Sequence, residues 1–475
     1  MSLELLNERV KRDLAYLAYG GANWVRPVRH TEGHVYDVII VGGGQSGLGI
    51  AFGLLRERIA NILIIDENSE GEEGPWETYA RMRTLRTPKH LTSVDLGIPS
   101  LTFRAWWEAQ AGPEGWDAIV KIPRGDWMEY LRWYRKVLDL PLINEVRLER
   151  IEPSGAGVHH LQVSGKGALS ETLLARKVVL ATGIQGGGEW HVPDMITNNL
   201  PERLYAHTSS RIDFENWRGK RIAILGGGAS AFDNASYALS EGVAEVHVFV
   251  RRKEMPRINP IRQMEASGMI ERYAALSDAE KYAAMVHFFQ HNQPPTNDTF
   301  ERAVAWPGFR LHLGTPWLSV KEGDGGVRVK TADEELHYDF LLISTGLLTD
   351  PALRPELRQV EAHIARWSDR HRAPAGMNNP LLDAHPYLTP GFAFTSRTDE
   401  GAALLHGLFA FNYSALISCG ISASALSGMK YGIPRIVTAI ADQLFLDDRE
   451  QIMADYLSYD EKEFIGEWPI AVKKA

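Results

Sequence analysis

Apolar and polar positions follow two rhythms along this chain, and each marks a kind of element. Residues 3–19, LELLNERVKRDLAYLAY, have helical spacing and lead through Gly20-Gly21 into an extended arm at Trp24 and Pro27. Packing on the surface is the favoured role for this helix, and covering a site is the other. Val38 to Val41 is an apolar run of strand length that breaks into Gly42, Gly44 and Gly47, with helix-compatible residues through Arg56. A second strand follows at Ile62–Ile65. Residues 123–138 place Trp127, Leu131, Tyr134 and Leu138 on one helical face, an aromatic stripe read as core. Strand-like alternations run through Val163, and Lys177–Gly183, KVVLATG, reads as a short buried strand ending in small residues.

The opening pattern then returns. Lys220–Ala231, KRIAILGGGASA, runs an apolar strand into Gly226, Gly228 and, at the third position, Ala231. The next strand, Glu245–Val250, ends in Arg251-Arg252. An Ala-rich helix is predicted over Ser277–Gln290, followed by the turn Pro294-Pro295-Thr296; it is either a surface insertion or a lining of the substrate path. Residues 338–346, YDFLLISTG, repeat the buried strand with its Thr345-Gly346 ending, and after Asp350 the chain returns to complete the first unit.

Strand, glycine turn and helix open a dinucleotide-binding unit. Gly42 permits the tight turn, Gly44 lets backbone N–H groups, with Gln45 and Ser46 beside it, approach a diphosphate, and Gly47 lets helix and strand pack closely. The anion then meets the unpaired N–H groups and dipole of the helix N-terminus. Asp66-Glu67 closes the second strand, and Asp66 lies 24 residues after Gly42, where a ribose hydroxyl is held. Arg251 lies 25 residues after Gly226. An acid at this position accepts from ribose hydroxyls and repels a 2′-phosphate, whereas an arginine pairs with that phosphate. The first unit is therefore expected to hold an adenosine with a free ribose, and the second NADPH.

Composition narrows the class. At 475 residues the chain exceeds one ordinary core, and its net charge of −9 argues against a general nucleic-acid surface. The single cysteine, Cys419, excludes an internal disulfide, a CxxC pair and a Cys-rich metal site; no metal is expected, and a reducing, cytoplasmic setting is. The first residues, MSLELLNERVKRD, carry charges and lack the apolar core of a signal peptide. Gly401–Met429 holds no Asp, Glu, Lys or Arg, but His406, Asn412, serines and glycines interrupt it, so it reads as protein interior rather than a membrane span.

With both glycine turns, both Thr-Gly strand ends (Thr182-Gly183 and Thr345-Gly346) and Gly74-Pro75-Trp76, the chain resembles the two-dinucleotide-domain flavoproteins, and within them the flavin-containing (class B) monooxygenases. The stretches FRAWWEAQAG, PRGDWMEYLRWYR, LYAHTSSRIDF and GLFAFNYSALISCG are similar to a bacterial subgroup that includes FAD-dependent urate hydroxylases. The group's Phe-x-Gly-x-x-x-His motif is matched only at His207, in PERLYAH. The resemblance implies an α/β fold of two Rossmann-like domains, the NADPH domain inserted into the FAD domain. The expected bounds are an N-terminal helix and arm at 1–30, FAD domain at 31–210 and 347–475, and NADPH domain at 211–346. It implies FAD at Gly42, Gly44, Gly47, Asp66 or Glu67, Trp76 and Thr182-Gly183, and NADPH at Gly226, Gly228, Ser230, Ala231, Arg251 and Arg252.

The reaction implied is hydride transfer from NADPH to FAD, addition of O2 at the flavin C4a carbon, and oxygenation of a small organic substrate by the resulting (hydro)peroxyflavin. The cofactor carries the hard chemistry, so no triad or paired carboxylate is required. An NADPH-dependent reductase passing electrons to a quinone or protein is the alternative. Neither nucleic acid nor membrane is an expected partner, and a homodimer is compatible with the chain. Candidates near the flavin are Lys89, facing the ring or NADPH; Asn412, bonding flavin edge atoms or capping a helix; His207, ordering the interdomain linker in preference to moving protons; and a helix N-terminus within Ser418–Ser424.

Overall fold

The computed structural model describes residues 2–91, 94–154, 157–168 and 170–468. Met1 and residues 469–475 of the expected outer segments lie outside them. Strand Gly33–Val41 is the spine of the first sheet because its apolar run is buried on both faces, with Val38, Ile39 and Ile40 fully enclosed. It pairs in parallel with Ile62–Ile65 and with Thr172–Gly183, and the latter pairs in parallel with Leu408–Asn412. Val158–Ser164 and Arg147–Ser154 extend the sheet antiparallel, and a short hairpin strand, Arg29–His30, borders Gly33–Val41. The expected strand Lys177–Gly183 is thus the second half of a twelve-residue strand.

The second sheet is wholly parallel, in the order Phe309–Leu313, Glu245–Val250, Arg221–Leu225, Phe340–Ile343, Tyr205–His207. In the chain it lies between two strands of the first sheet. Tyr205–His207, placed by sequence in the first domain, is its edge strand. The fold is α/β with two nucleotide-type sheets, the first with a parallel centre and antiparallel extensions and the second wholly parallel.

Helix Leu3–Tyr16 buries Leu6, Val10 and Leu14 in the first core, which settles its role as packing. Helix Arg124–Val137 buries Trp127, Tyr130, Leu131 and Tyr134 there too, as the aromatic stripe required. The insertion helices have a core of their own. Tyr273, Tyr282 and Met285 pack with Trp367, Leu416 and Ile417 from the returning chain. The uncharged stretch forms helix Asp399–Leu405, the buried strand Leu408–Asn412 and the start of the long helix Leu426–Asp447. Among the described residues, no helix is long and apolar enough to cross a membrane.

Candidate functional site: one cavity between two glycine turns

Each nucleotide-type sheet ends its first strand in a glycine turn followed by a helix, Gln45–Arg56 and Ala229–Ser240. At the first turn Gly42 has φ +109°, and a Cβ there would sit 2.5 Å from the Ala181 carbonyl oxygen. A Cβ on Gly47 would lie 1.9 Å from the Gly42 oxygen, so helix and strand touch as the motif demands. Gly44 caps the helix, and its missing side chain would meet only Gly74, at 3.8 Å. Gly228 caps the second helix with nothing within 4 Å. Both caps leave room for an anion at a helix N-terminus.

A cavity of about 810 Å³ joins the two units. Gly42, Gly44, Gln45 and Ser46 line it, with Asp66, Glu67, Trp76, Thr182 and Gly183, and Ser230 lines it from the second unit. Asp66 is nearly buried; its Oδ2 accepts the Gly43 N–H at 2.7 Å and its Oδ1 the Asn68 N–H at 2.8 Å. Burial pushes this carboxyl above its ordinary range, while those N–H groups pull it back. Glu67 is exposed beside it, 3.8 Å from Arg147. Ala423, Ser424, Ala425, Leu426 and Met429 also line the cavity, so the N-terminus of helix Leu426–Asp447 faces it, slightly later than the expected Ser418–Ser424 run.

Arginines join the two units beside this cavity, which sequence reasoning passed over. Buried Arg81 donates to the Tyr79, Thr208 and Ser210 carbonyls, at 2.9, 2.9 and 2.8 Å, and so pins the linker after His207. Burial lowers its guanidinium to about 10, which leaves it charged at neutral pH. Arg86 pairs with buried Asp233 on the second unit's helix, and Thr299 Oγ1 also donates to Asp233. Arg262 donates to the Arg86 carbonyl. Asn259, Ile261, Arg262, Glu265 and Gln293 line the cavity, so the 256–300 segment borders the site as well as packing. The clustered arginines of residues 81–89 were the available signal, but their partners lie far along the chain.

The three candidate catalytic residues each meet protein partners. Lys89 Nζ donates to the Trp116 and Ile119 carbonyls at 2.6 and 2.7 Å and lies over the Trp116 ring; it belongs to a loop–helix contact, not to the cavity wall. Asn412 is buried, with Nδ2 near Leu180 O, Thr182 Oγ1 and Gly186 O, and Oδ1 capping the Ser414 N–H at 2.9 Å. Its amide is spent on protein, which is the helix-capping alternative. His207 stacks on Trp190 at 4.8 Å, and its Nδ1 accepts the Ser209 N–H, so the ring proton sits on Nε2. Burial holds this imidazole down to about 4, a neutral ring suited to ordering the linker. Gly226 has φ +126°, and Ala231 is fully buried. Arg251 and Arg252 are exposed at the end of their strand, outside the cavity wall. Thr345 Oγ1 donates to the His191 carbonyl, and the Gly346 carbonyl accepts the His191 N–H at 2.9 Å, also away from the cavity.

Comparison with known proteins agrees with this geometry. A family described as FAD-NAD(P)-binding matches residues 39–185, and one described as L-lysine 6-monooxygenase/L-ornithine 5-monooxygenase matches residues 118–290. The FAD-dependent urate hydroxylase of Xanthomonas campestris pv. campestris is 60% identical over 470 residues, 99% of this chain and 98% of that protein. The chain is thus a flavin monooxygenase with FAD and NADPH as its cofactors, acting on a small molecule. Within that class it belongs to the family of the FAD-dependent urate hydroxylase.

The fold alone is more widely shared. Ornithine hydroxylase (PvdA) from Pseudomonas aeruginosa superposes with a TM-score of 0.69 at 16% identity, over 86% of this chain and 100% of that one. Bacillithiol disulfide reductase Bdr (YpdA) from Bacillus cereus does so with 0.56 at 16%, over the same shares. Here Cys419 is buried away from the cavity, and burial pushes its thiol up to about 11, which does not suit it to thiol exchange.

Proposed function

We propose that the enzyme hydroxylates urate or a closely related oxopurine, with FAD anchored at the first glycine turn and NADPH at the second. The observation that carries the placement is the single cavity reaching from Gly42–Ser46 to Ser230. It lets two dinucleotides point their reactive ends at one another. The substrate class rests on the near full-length identity to the urate hydroxylase.

The residues fit the cofactors. Gly44, Gln45 and Ser46 present N–H groups to the FAD diphosphate, Asp66 and Glu67 accept from the adenosine ribose, and Trp76 with Thr182-Gly183 closes around the flavin. Gly226, Gly228, Ser230 and Ala231 play the matching part for NADPH, whose 2′-phosphate pairs with Arg251 and Arg252. Thr345-Gly346 acts at one remove, holding His191 near the linker. We assign residues 31–204 and 347–468 to the FAD domain and 205–346 to the NADPH domain, moving the edge strand Tyr205–His207 to the second. FAD, when bound, supplies the redox chemistry that couples NADPH oxidation to use of O2.

The protein supplies position and charge. The N-terminus of helix Leu426–Asp447 favours negative charge developing beside it, and the Arg81 guanidinium, hydrogen-bonded to carbonyls and without a carboxylate partner among the described residues, adds positive potential. The overall balance is urate, O2, NADPH and a proton giving hydroxylated urate, NADP+ and water. A reducing cytoplasm suits the free thiol of Cys419, and we propose a homodimer as the assembly.

Turnover under 18O2, with NADPH and urate, tests this. One labelled oxygen atom per product and one NADPH per urate consumed are expected. NADPH oxidation that yields only hydrogen peroxide, with urate intact, rejects the substrate.

A further inference from the structure

A second chemistry-bearing cluster lies at the other end of the first sheet. Arg29–His30 and Gly33–Val41 form a tight hairpin in which His30 pairs with Gly33, leaving Glu32 at the turn. His160 lies on the next strand but one, Val158–Ser164, and it and Val35 flank Leu174 of the intervening strand Thr172–Gly183 from either side. That register is seven residues before Ala181, which touches the cofactor cavity, or roughly 20 Å along the strand. The His30 and His160 rings meet edge to face at 5.5 Å, and His160 Nε2 stands 3.7 Å from the Glu32 carboxylate. One donor atom from each of His30, Glu32 and His160 lies within 4.8 Å of the other two.

We propose that His30, Glu32 and His160 bind a divalent metal ion of the zinc class, which staples the N-terminal hairpin to strand Val158–Ser164. Two imidazoles and one carboxylate form a donor set suited to Zn2+, with water completing the tetrahedron. A second observation points the same way: His160 Nε2 is enclosed and has no hydrogen-bond partner among the described residues, although a buried ring nitrogen ordinarily has one. A metal would satisfy it.

Tetrahedral zinc needs its donors about 3.3 Å apart, given bonds near 2.0 to 2.1 Å. Closing from separations of no more than 4.8 Å takes a shift of at most about 1.5 Å, shared between the exposed Glu32 side chain and the His30 ring. His30 Nδ1 now accepts the Glu32 N–H at a long 3.3 Å. Ligation through Nε2 moves the ring proton to Nδ1 and gives up that weak contact. Distance from the cavity makes this a structural site.

Zn2+ titration of the FAD-loaded full chain by calorimetry, with melting temperature followed in parallel, tests the proposal. One Zn2+ per chain and a rise of several degrees are expected. The His30→Asn/His160→Asn pair should abolish both, and Glu32→Gln, at an exposed position, should weaken binding at least about tenfold, since even outer partners of metal ligands are worth that much. His287 and His291 meet edge to face one turn apart on helix Asp278–His291 and form the competing chelator, so His287→Asn should change nothing. Absence of saturable binding overturns the site, as does binding that survives the double substitution or disappears with His287→Asn. Flavin content reports folding of each variant, and Glu32→Gln decides the matter if the double variant does not fold.

Discussion

The two glycine turns share a backbone plan and differ in everything around it. At the first, Gly44 faces the Gly71–Trp76 loop, Trp76 is nearly buried, and Asp66 is enclosed and already held by the Gly43 and Asn68 N–H groups. At the second, Gly228 faces open space, and Arg251 and Arg252 stand exposed at the strand end. Even the third motif position differs: Gly47 has no room for a methyl group, whereas Ala231 carries one. A pre-organised, covered site loses little freedom on binding and holds its ligand, while an open one lets its ligand exchange. We propose that the difference separates a resident cofactor from a travelling one.

The sharpest break is Gly44→Val. The local backbone has φ −72° and ψ −173°, which valine adopts readily, so the protein should fold. The side chain would occupy the diphosphate face, and purified protein should be colourless; a fully flavinated variant rejects the first site. The same change at Gly228 should leave the protein yellow and abolish reduction by NADPH, as an anaerobic flavin spectrum would show.

Arg251→Ala should come next, lowering kcat/KM for NADPH by about 10- to 100-fold, the worth of a charge-assisted pair. NADH should be almost unaffected. Equal effects on the two nucleotides would remove the phosphate-reading role.

Arg86→Met tests the link between the regions. It leaves Asp233 buried without its cation, at a cost of about 1–3 kcal/mol in stability, and should slow turnover severalfold while flavin content stays full. Unchanged turnover with unchanged melting would show that the pair couples nothing.

Acid should affect both regions alike, and more gently. Burial holds His159 in the first sheet, His207 and His247 in the second, and His385 beside Trp367 in the returning chain down to about 4. These bases are neutral when folded, whereas the unfolded chain protonates them near pH 6.5. Between about pH 6.5 and 4 the unfolded state binds more protons, so their contribution is present above 6.5 and is lost as pH falls. Asp37 opposes them: burial raises it to about 6, so its contribution declines as pH rises toward that value. Asp66, also raised by burial, acts in the same sense as Asp37, but four histidines outweigh these two carboxyls and predict a lower melting temperature at pH 5 than at pH 7. The reverse order would show that Asp37 and its neighbours dominate.

The fold was legible in the sequence because its signals are local. The two apolar-run, glycine-turn patterns, the acid and arginine at matching offsets, and the aromatic stripe of Trp127, Leu131 and Tyr134 all lie within short windows. What escaped depends on contacts between distant segments. Arg86 and Asp233 are 147 residues apart, and Arg81 reaches carbonyls 127 and 129 residues away. Tyr205–His207 is too short to announce itself and became a strand only by pairing with Phe340–Ile343. Lys89 and Asn412 had the right chemistry in the right neighbourhoods, but nearby carbonyls and an N–H claimed them first.

The contrast between the turns comes down to what each retains. Protein mixed with FAD and NADP+ and passed through a gel-filtration column should emerge with close to one FAD per chain and almost no NADP+. Retention of both, or loss of both, would contradict the division into a resident and an exchanging site.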